Sequence, residues 1–215
     1  MTHTDPKVFV IFAIAFLSAL TVHEFAHARA ALAAGDDTAK QAGRLTLNPL
    51  AHLDLVGSIF FIMMMATGYG IGWAKPVPIN PMRFKSPRWD NLRVSLWGPL
   101  SNLIFAIVLS AIFKFVIVPL HAYDYYILIY VCIRVNVGLA VFNLIPIPPL
   151  DGSHILASLL PYEMARRFEY GMGRYGMSVL IGLVILGMIS GHSIISAVIY
   201  PPIDFTVRLL LGRLA

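Results

Sequence analysis

The residues His23-Glu24-Phe25-Ala26-His27 lie inside a long apolar run. On a helix, positions i and i+4 share a face, so both imidazoles can bind one metal ion. Glu24, one residue on, stands beside the ligands, where it can take a proton from a metal-activated water. Ionisable groups within a hydrophobic span are expensive and are usually paired, metal-bound or functional. The plainer reading is a polar seam that hydrogen-bonds neighbouring helices. It accounts poorly for two histidines and a glutamate on a single turn.

A catalytic zinc usually takes three protein ligands and keeps one position for water. The third must come from elsewhere in the chain, from the acidic residues or from His3, His52, His121, His154 or His192. Asp151 is the strongest candidate. It follows an apolar span and the proline-stiffened turn Asn143-Leu144-Ile145-Pro146-Ile147-Pro148-Pro149-Leu150. Its purely structural alternative is the N-cap of a helix beginning at Gly152.

The elements that position these groups are membrane helices. The chain has 215 residues, 58% of them hydrophobic and 13% charged, where soluble domains have about 45–50% and about 25%. With a mean hydropathy of +0.77, there is too little polar surface to solvate a globule. The net charge of +5 is no nucleic-acid footprint. Its basic residues, such as Lys75, Arg83, Lys85, Arg88 and Arg93, fall in short connections, as they do on the cytoplasmic side of membrane proteins. The expected surroundings are therefore membrane lipid, with no nucleic-acid partner. The single cysteine, Cys132, excludes an intrachain disulfide and reads as a small buried hydrophobe. Lys7 before an apolar run resembles the start of a signal peptide, but cleavage near Ala28 or Ala30 would remove the histidine motif. The run is read as a retained span.

Five stretches read as bilayer spans, for which a helix takes roughly 20 residues: Lys7–Ala34, Leu92–Val118, Tyr125–Ile145, Tyr175–Ser190, which is short and interrupted by Gly182 and Gly187, and Ser193–Leu211. Ser190-Gly191-His192 reads as a tight turn between the last two. A sixth run, Leu55–Gly72, is shorter and is flanked by Lys40 and Arg44 on one side and Lys75 to Arg93 on the other. If both flanks are cytoplasmic, it dips in and returns. Arg44–Asn48 and Trp73–Asn80 read as short strands, the second confined to a sheet edge by its prolines.

Topology and chemistry agree. His23 and His27 lie in the second half of the first span, and Asp151 lies just past the end of Tyr125–Ile145. These ends share a side only if Leu55–Gly72 returns. The N-terminus is then non-cytoplasmic and the site faces the cytoplasm. The connection His121–Tyr126, which lacks Lys and Arg, is outside; Arg166, Arg167, Arg174 and Arg213 are inside.

The sequence HEFAH in a span, then GPLSN, then NLIPIPPLDG, resembles the site-2 protease family of intramembrane zinc metalloproteases over residues 23 to 152. The resemblance implies zinc held by His23, His27 and Asp151, with Glu24 as the catalytic acid–base. It also marks Asn102 and Asn143, either of which could hydrogen-bond the oxyanion or substrate; interhelical hydrogen bonding is the structural alternative for both. It implies transmembrane or membrane-associated protein substrates and a minimal form without a PDZ domain. The expected fold is an all-α polytopic membrane protein of five to six transmembrane helices, with a re-entrant segment and short edge strands near the active site. It forms one domain over 1–215, with a catalytic core of about 7–152 and a C-terminal helical region of about 153–215. The expected location is a prokaryotic plasma membrane. Rival readings are a metal-ion transporter using the same ligands and a proteolytically silent scaffold. Arg134, the main other charge within a span, receives no role.

Overall fold

The computed structural model describes residues 6–67, 72–190 and 194–212. His3, His192, the turn at residues 190–192, residues 68–71 and Arg213 thus lie wholly or partly outside the described residues. The helices are α1 (Pro6–Ala34), α2 (Thr38–Gln41), α3 (Leu55–Thr67), α4 (Pro87–Ile112), α5 (Tyr126–Asn143), α6 (Asp151–Leu159), α7 (Tyr162–Ser190) and α8 (Ile194–Leu211). Among the described residues five helical stretches are long and apolar enough to cross a membrane: Pro6–Ala34, Pro87–Ile117, Tyr123–Asn143, Tyr162–Ser190 and Ile194–Leu211. The protein is an all-α polytopic membrane protein.

α1, α4 and α5 form the central bundle, with α8 against α5. Their shared core contains Ala15, Ala106, Leu109, Phe113, Cys132, Ile133, Val137, Ile203 and Val207. α1 is buried on more than one side. Ala15 joins this core, Ala31 packs with Phe84 and Val94, and Ala28 packs with Ala39 and Val77. Small side chains let the neighbouring backbones approach closely, which is how helices gain packing where lipid supplies no hydrophobic drive. α1 ends at Gly35, whose φ of +106° suits glycine. Lys85 N then donates to the Ala34 carbonyl at 3.3 Å, so α4 begins beside the end of α1.

The sixth apolar run returns to the side it came from. α3 has 13 residues, or about 20 Å at 1.5 Å per residue, against a hydrocarbon core of about 30 Å. Phe61 of α3 stacks on Phe16 of α1 with ring centroids 4.5 Å apart. The segment's two ends meet: Leu53 and Ala74 form an antiparallel bridge, and Lys75 N donates to the His52 carbonyl at 2.9 Å. A segment that enters and leaves at one point has not crossed.

Two expectations change. No strand forms among the described residues; the Leu53–Ala74 bridge is isolated. Trp73–Asn80 has no helical residues, but Pro76 and Pro78 carry no N–H, so no ladder can propagate through it. Arg44–Asn48 is drawn instead into the Arg44 side-chain contacts below. Second, α7 begins at Tyr162 rather than near Tyr175. Its first turns, with Glu163, Arg166, Arg167 and Glu169, are too polar to read as a span, yet nothing there stops the helix from continuing.

Cysteines placed at Lys40, Lys85 and Tyr123 in a Cys132→Ser background test the topology. A membrane-impermeant thiol reagent is expected to reach the Lys40 and Lys85 positions from one side and Tyr123 from the other. Labelling of Lys40 and Lys85 from opposite sides would mean that α3 crosses.

Candidate metal centre

Three ligand atoms converge from α1 and the start of α6. His23 Nε2 lies 3.0 Å from His27 Nε2. Asp151 places Oδ2 3.1 Å from His23 Nε2 and Oδ1 3.3 Å from His27 Nε2. Asp151 is the first residue of α6, the cap position is Leu150, and no side chain caps that end. The N-cap alternative is thus not what the structure contains. His23 and His27 are buried.

Hydrogen bonding fixes what the imidazoles present. The Val94 carbonyl can only accept, so His27 Nδ1, 2.8 Å away, carries the proton. Asn102 Nδ2 donates to the Ala19 carbonyl at 2.8 Å, which turns Asn102 Oδ1 toward His23 Nδ1 at 2.7 Å. His23 Nδ1 therefore donates as well. In the neutral rings both Nε2 atoms present lone pairs, and they face each other and a carboxylate. Asp151 Oδ2 is buried without a hydrogen-bond partner. Three acceptors at 3.0–3.3 Å repel unless a cation lies between them. Donors sharing a tetrahedral ion at about 2.0–2.1 Å stand roughly 3.3 Å apart, so this set fits a divalent metal. Among the described residues it is the one group of three His, Cys, Asp or Glu side chains so arranged.

Backbone proximity makes the convergence possible. A Cβ on Gly98 of α4 would stand 2.4 Å from His27 Nε2 and 2.7 Å from His23 Cε1. One on Gly152 would meet the Leu144 carbonyl oxygen at 2.3 Å. The first glycine lets α4 pass against the imidazoles, and the second lets α6 start against the end of α5.

Glu24 accepts from Val77 N at 3.1 Å through Oε2. Val77 lies between Pro76 and Pro78, so its amide is the sole N–H of that tripeptide, and it is spent on Glu24. The segment is held on either side of this contact. The Arg44 guanidinium donates to the Ala51 and Lys75 carbonyls and, at 3.3 Å, to Pro76. Asp36 Oδ2 accepts from Asn80 N at 2.7 Å. Burial pushes the Asp36 carboxyl up, but hydrogen bonds from Asn80 and Thr38, with Arg83 nearby, bring it below its ordinary value. Arg44, Asp36 and Val77 were not foreseen in the sequence, where a lone loop arginine, a post-helix aspartate and a valine carry no chemical signal.

The remaining candidates fall elsewhere. Asn102 is fully buried and bonded to His23, Ala19 and Asn136, so both its N–H groups are engaged within the bundle. Asn143, half-buried at the end of α5, donates to the Leu139 carbonyl at 3.0 Å. His52 is buried and bonds Thr46 O at 2.9 Å. His52, His121 and His154 do not join the ligand group.

A membrane-spanning bundle thus holds a buried His-His-Asp group able to take a metal ion, with a carboxylate beside it. Comparison with known proteins agrees. The model described as Peptidase family M50 matches residues 120–187, a stretch that includes Asp151. YwhC of Bacillus subtilis is 43% identical over 172 residues, 74% of either chain. Rip2 of Mycolicibacterium smegmatis is 30% identical over 178 residues, covering 83% of this chain and 68% of the relative. Both bear the name "Putative zinc metalloprotease". "Zinc metalloprotease MJ0392" of Methanocaldococcus jannaschii is 29% identical over 139 residues, 61% of this chain and 39% of that protein. No solved structure gives a significant match. The chain belongs to peptidase family M50, the site-2 protease family of metalloproteases.

Gly98→Ala is expected to displace the imidazoles and weaken metal binding tenfold or more while the helices remain. Chelator competition on the purified protein checks this. Binding as tight as wild type would mean that α4 moves aside at no cost.

Proposed function

We propose that this protein is a zinc endopeptidase that hydrolyses peptide bonds of transmembrane or membrane-associated protein substrates at the cytoplasmic side of the bilayer. The observation that carries this reading is the convergence of the His23 and His27 lone pairs with the Asp151 carboxylate, with Glu24 on the same turn as the histidines. Bound by these three residues, zinc supplies Lewis-acid activation of a water molecule, whose pKa it brings to about 7.

The protein's own groups do the rest. Glu24 is held at Oε2 by the Val77 amide, which leaves Oε1 to take the water's proton. The same carboxyl then delivers that proton to the leaving amine. Asn143, with one amide N–H committed to Leu139, keeps a second that can donate to the oxyanion. Asn102 acts on His23 instead, since its donors are engaged. A substrate helix must unwind before its carbonyl can be attacked. Trp73–Asn80, unpaired beyond one bridge, supports recognition by strand addition. Arg44, Glu24 and Asp36 occupy much of its backbone, which leaves the Val77 and Pro78 carbonyls and the Ile79 N–H for the substrate.

The cytoplasmic orientation rests on the basic residues. Lys40 and Arg44 precede the returning segment, Lys75 to Arg93 follow it, and Arg166 and Arg167 lie on the first turns of α7. A transporter would not need Glu24 as a proton acceptor, and a silent scaffold would need neither the ligands nor Glu24.

Glu24→Gln is expected to keep zinc and the fold while peptide cleavage falls at least about a hundredfold, because the near-isosteric amide cannot accept a proton at neutral pH. Cleavage of a reconstituted membrane substrate, followed by mass spectrometry, is the measurement; activity near wild type would exclude Glu24 as the base. Metal analysis provides the companion test. His23→Ala, His27→Ala and Asp151→Ala should each lose zinc and His121→Ala should not, so full retention in Asp151→Ala would remove that residue from the site.

A further inference from the structure

The amide network behind His23 does not end at Asn102. On α5, Asn136 is fully buried, and its Nδ2 donates to the Cys132 carbonyl at 2.9 Å. That carbonyl only accepts, so the nitrogen end of the amide must face it. Asn136 Oδ1 therefore points the other way, where it accepts from Asn102 Nδ2 at 2.9 Å. The second Asn102 N–H goes to the Ala19 carbonyl, and Oδ1 of Asn102 meets the His23 N–H. Every bond in this chain has its direction set by a backbone carbonyl, Cys132 at one end and Ala19 at the other.

The surroundings of Asn136 give no packing reason for an amide. Its neighbours Ile133 and Val137 belong to the apolar core, and a buried polar group there is costly unless it is fully bonded. An apolar residue of similar size would fill the space but leave one buried Asn102 N–H without an acceptor. What the amide adds is a second anchor on Asn102. Held by Ala19 alone, the Asn102 carboxamide can turn about that one bond. Held from α1 and α5 together, its plane is fixed, and so is the point where Oδ1 stands.

We propose that Asn136 is a positioning residue for the metal centre, locking the Asn102 carboxamide so that His23 keeps its proton on Nδ1 and offers Nε2 to the ion. The inference rests on the reading of His23, His27 and Asp151 as metal ligands. It ties the ligand helix α1 to α5, the helix that leads into Asp151, so both sources of ligands are registered through one chain of amides.

Zinc affinity of the purified full chain, measured by chelator competition, tests it. Asn136→Leu is expected to weaken zinc by about tenfold or more, within the 10–100-fold range usual for groups that orient ligands. Asn136→Asp, which as the neutral acid can donate to the Cys132 carbonyl while keeping an acceptor facing Asn102, is expected to retain most of the affinity. In an Asn102→Leu background, Asn136→Leu should change affinity less than twofold, because its effect runs through Asn102. Wild-type affinity in Asn136→Leu would overturn the proposal, and so would losses that multiply in the double variant. If Asn136→Leu does not accumulate as folded protein, Asn136→Ala is read by the same cycle. A wild-type chain that binds no zinc would overturn the metal-centre reading itself, a result distinct from failure of the Asn136 role alone.

Discussion

Three electron-pair donors facing one another in a buried site impose the constraint on which this architecture depends. Two imidazole nitrogens and a carboxylate cannot be held at about 3 Å in a low-dielectric interior without a cation or protons among them. The fold spends much of its detail on holding them there. Val94 and Asn102, both on α4, orient the rings. Gly98 on the same helix clears the space the rings occupy, and Gly152 seats the turn that delivers Asp151. α4 contributes none of the three donors, yet it sets the tautomer and position of the two imidazoles.

The same constraint dictates the path of the chain across the membrane. His23 and His27 lie toward the C-terminal half of α1, and Asp151 follows the C-terminal end of α5. Between them the chain must change sides an even number of times, which α4 and α5 already do. Any further crossing would place Asp151 on the wrong face. α3 therefore has to come back, and the contacts between residues 52–53 and 74–75 close that excursion at its base. Arg44 reinforces the closure by binding carbonyls from both ends of the excursion. One buried guanidinium thus joins topology to chemistry, since the Lys75–Pro76 stretch it grips leads directly to the Val77 amide on Glu24.

Much of this was legible in the residues themselves. Long apolar runs mark spans because a helix alone satisfies its backbone in lipid, and an aspartate beyond a proline-rich turn stands out against an apolar background. What was not legible depends on directionality and on backbone groups. The alternation around Val77 and Ile79 suggested strands, but the flanking prolines remove the N–H groups a ladder needs, and the surviving amide serves a carboxylate. Asn102 carried a recognisable spacing, yet only its three partners reveal that it orients a histidine. Asn136 carried no signal at all, because an asparagine in a membrane helix has the same one-letter appearance whether it pairs with a neighbouring helix or with a lipid-facing carbonyl. Polar start-up turns hid the true beginning of α7, where hydropathy is low but helix propensity is not.

Charge elsewhere in the spans follows the logic of the metal centre. Arg134, a charge to which the sequence alone assigns no role, lies 2.9 Å from Asp204, an acidic residue within the α8 span. The Arg134 guanidinium also reaches the Tyr130 hydroxyl at 3.4 Å and lies 6.0 Å from that ring's centroid. Both charged side chains remain partly exposed, so the pair is poor evidence for stability in its own right. Its consequence is geometric. An isolated charge at mid-helix in lipid is far costlier than a pair, so α8 must present Asp204 at the depth of Arg134, and the apolar contacts of Ile203 and Val207 with the core then fix its rotation. The metal centre and the ion pair are thus both charge clusters whose members come from different helices. In each case neutralisation, more than shape, sets the depth at which one helix meets another.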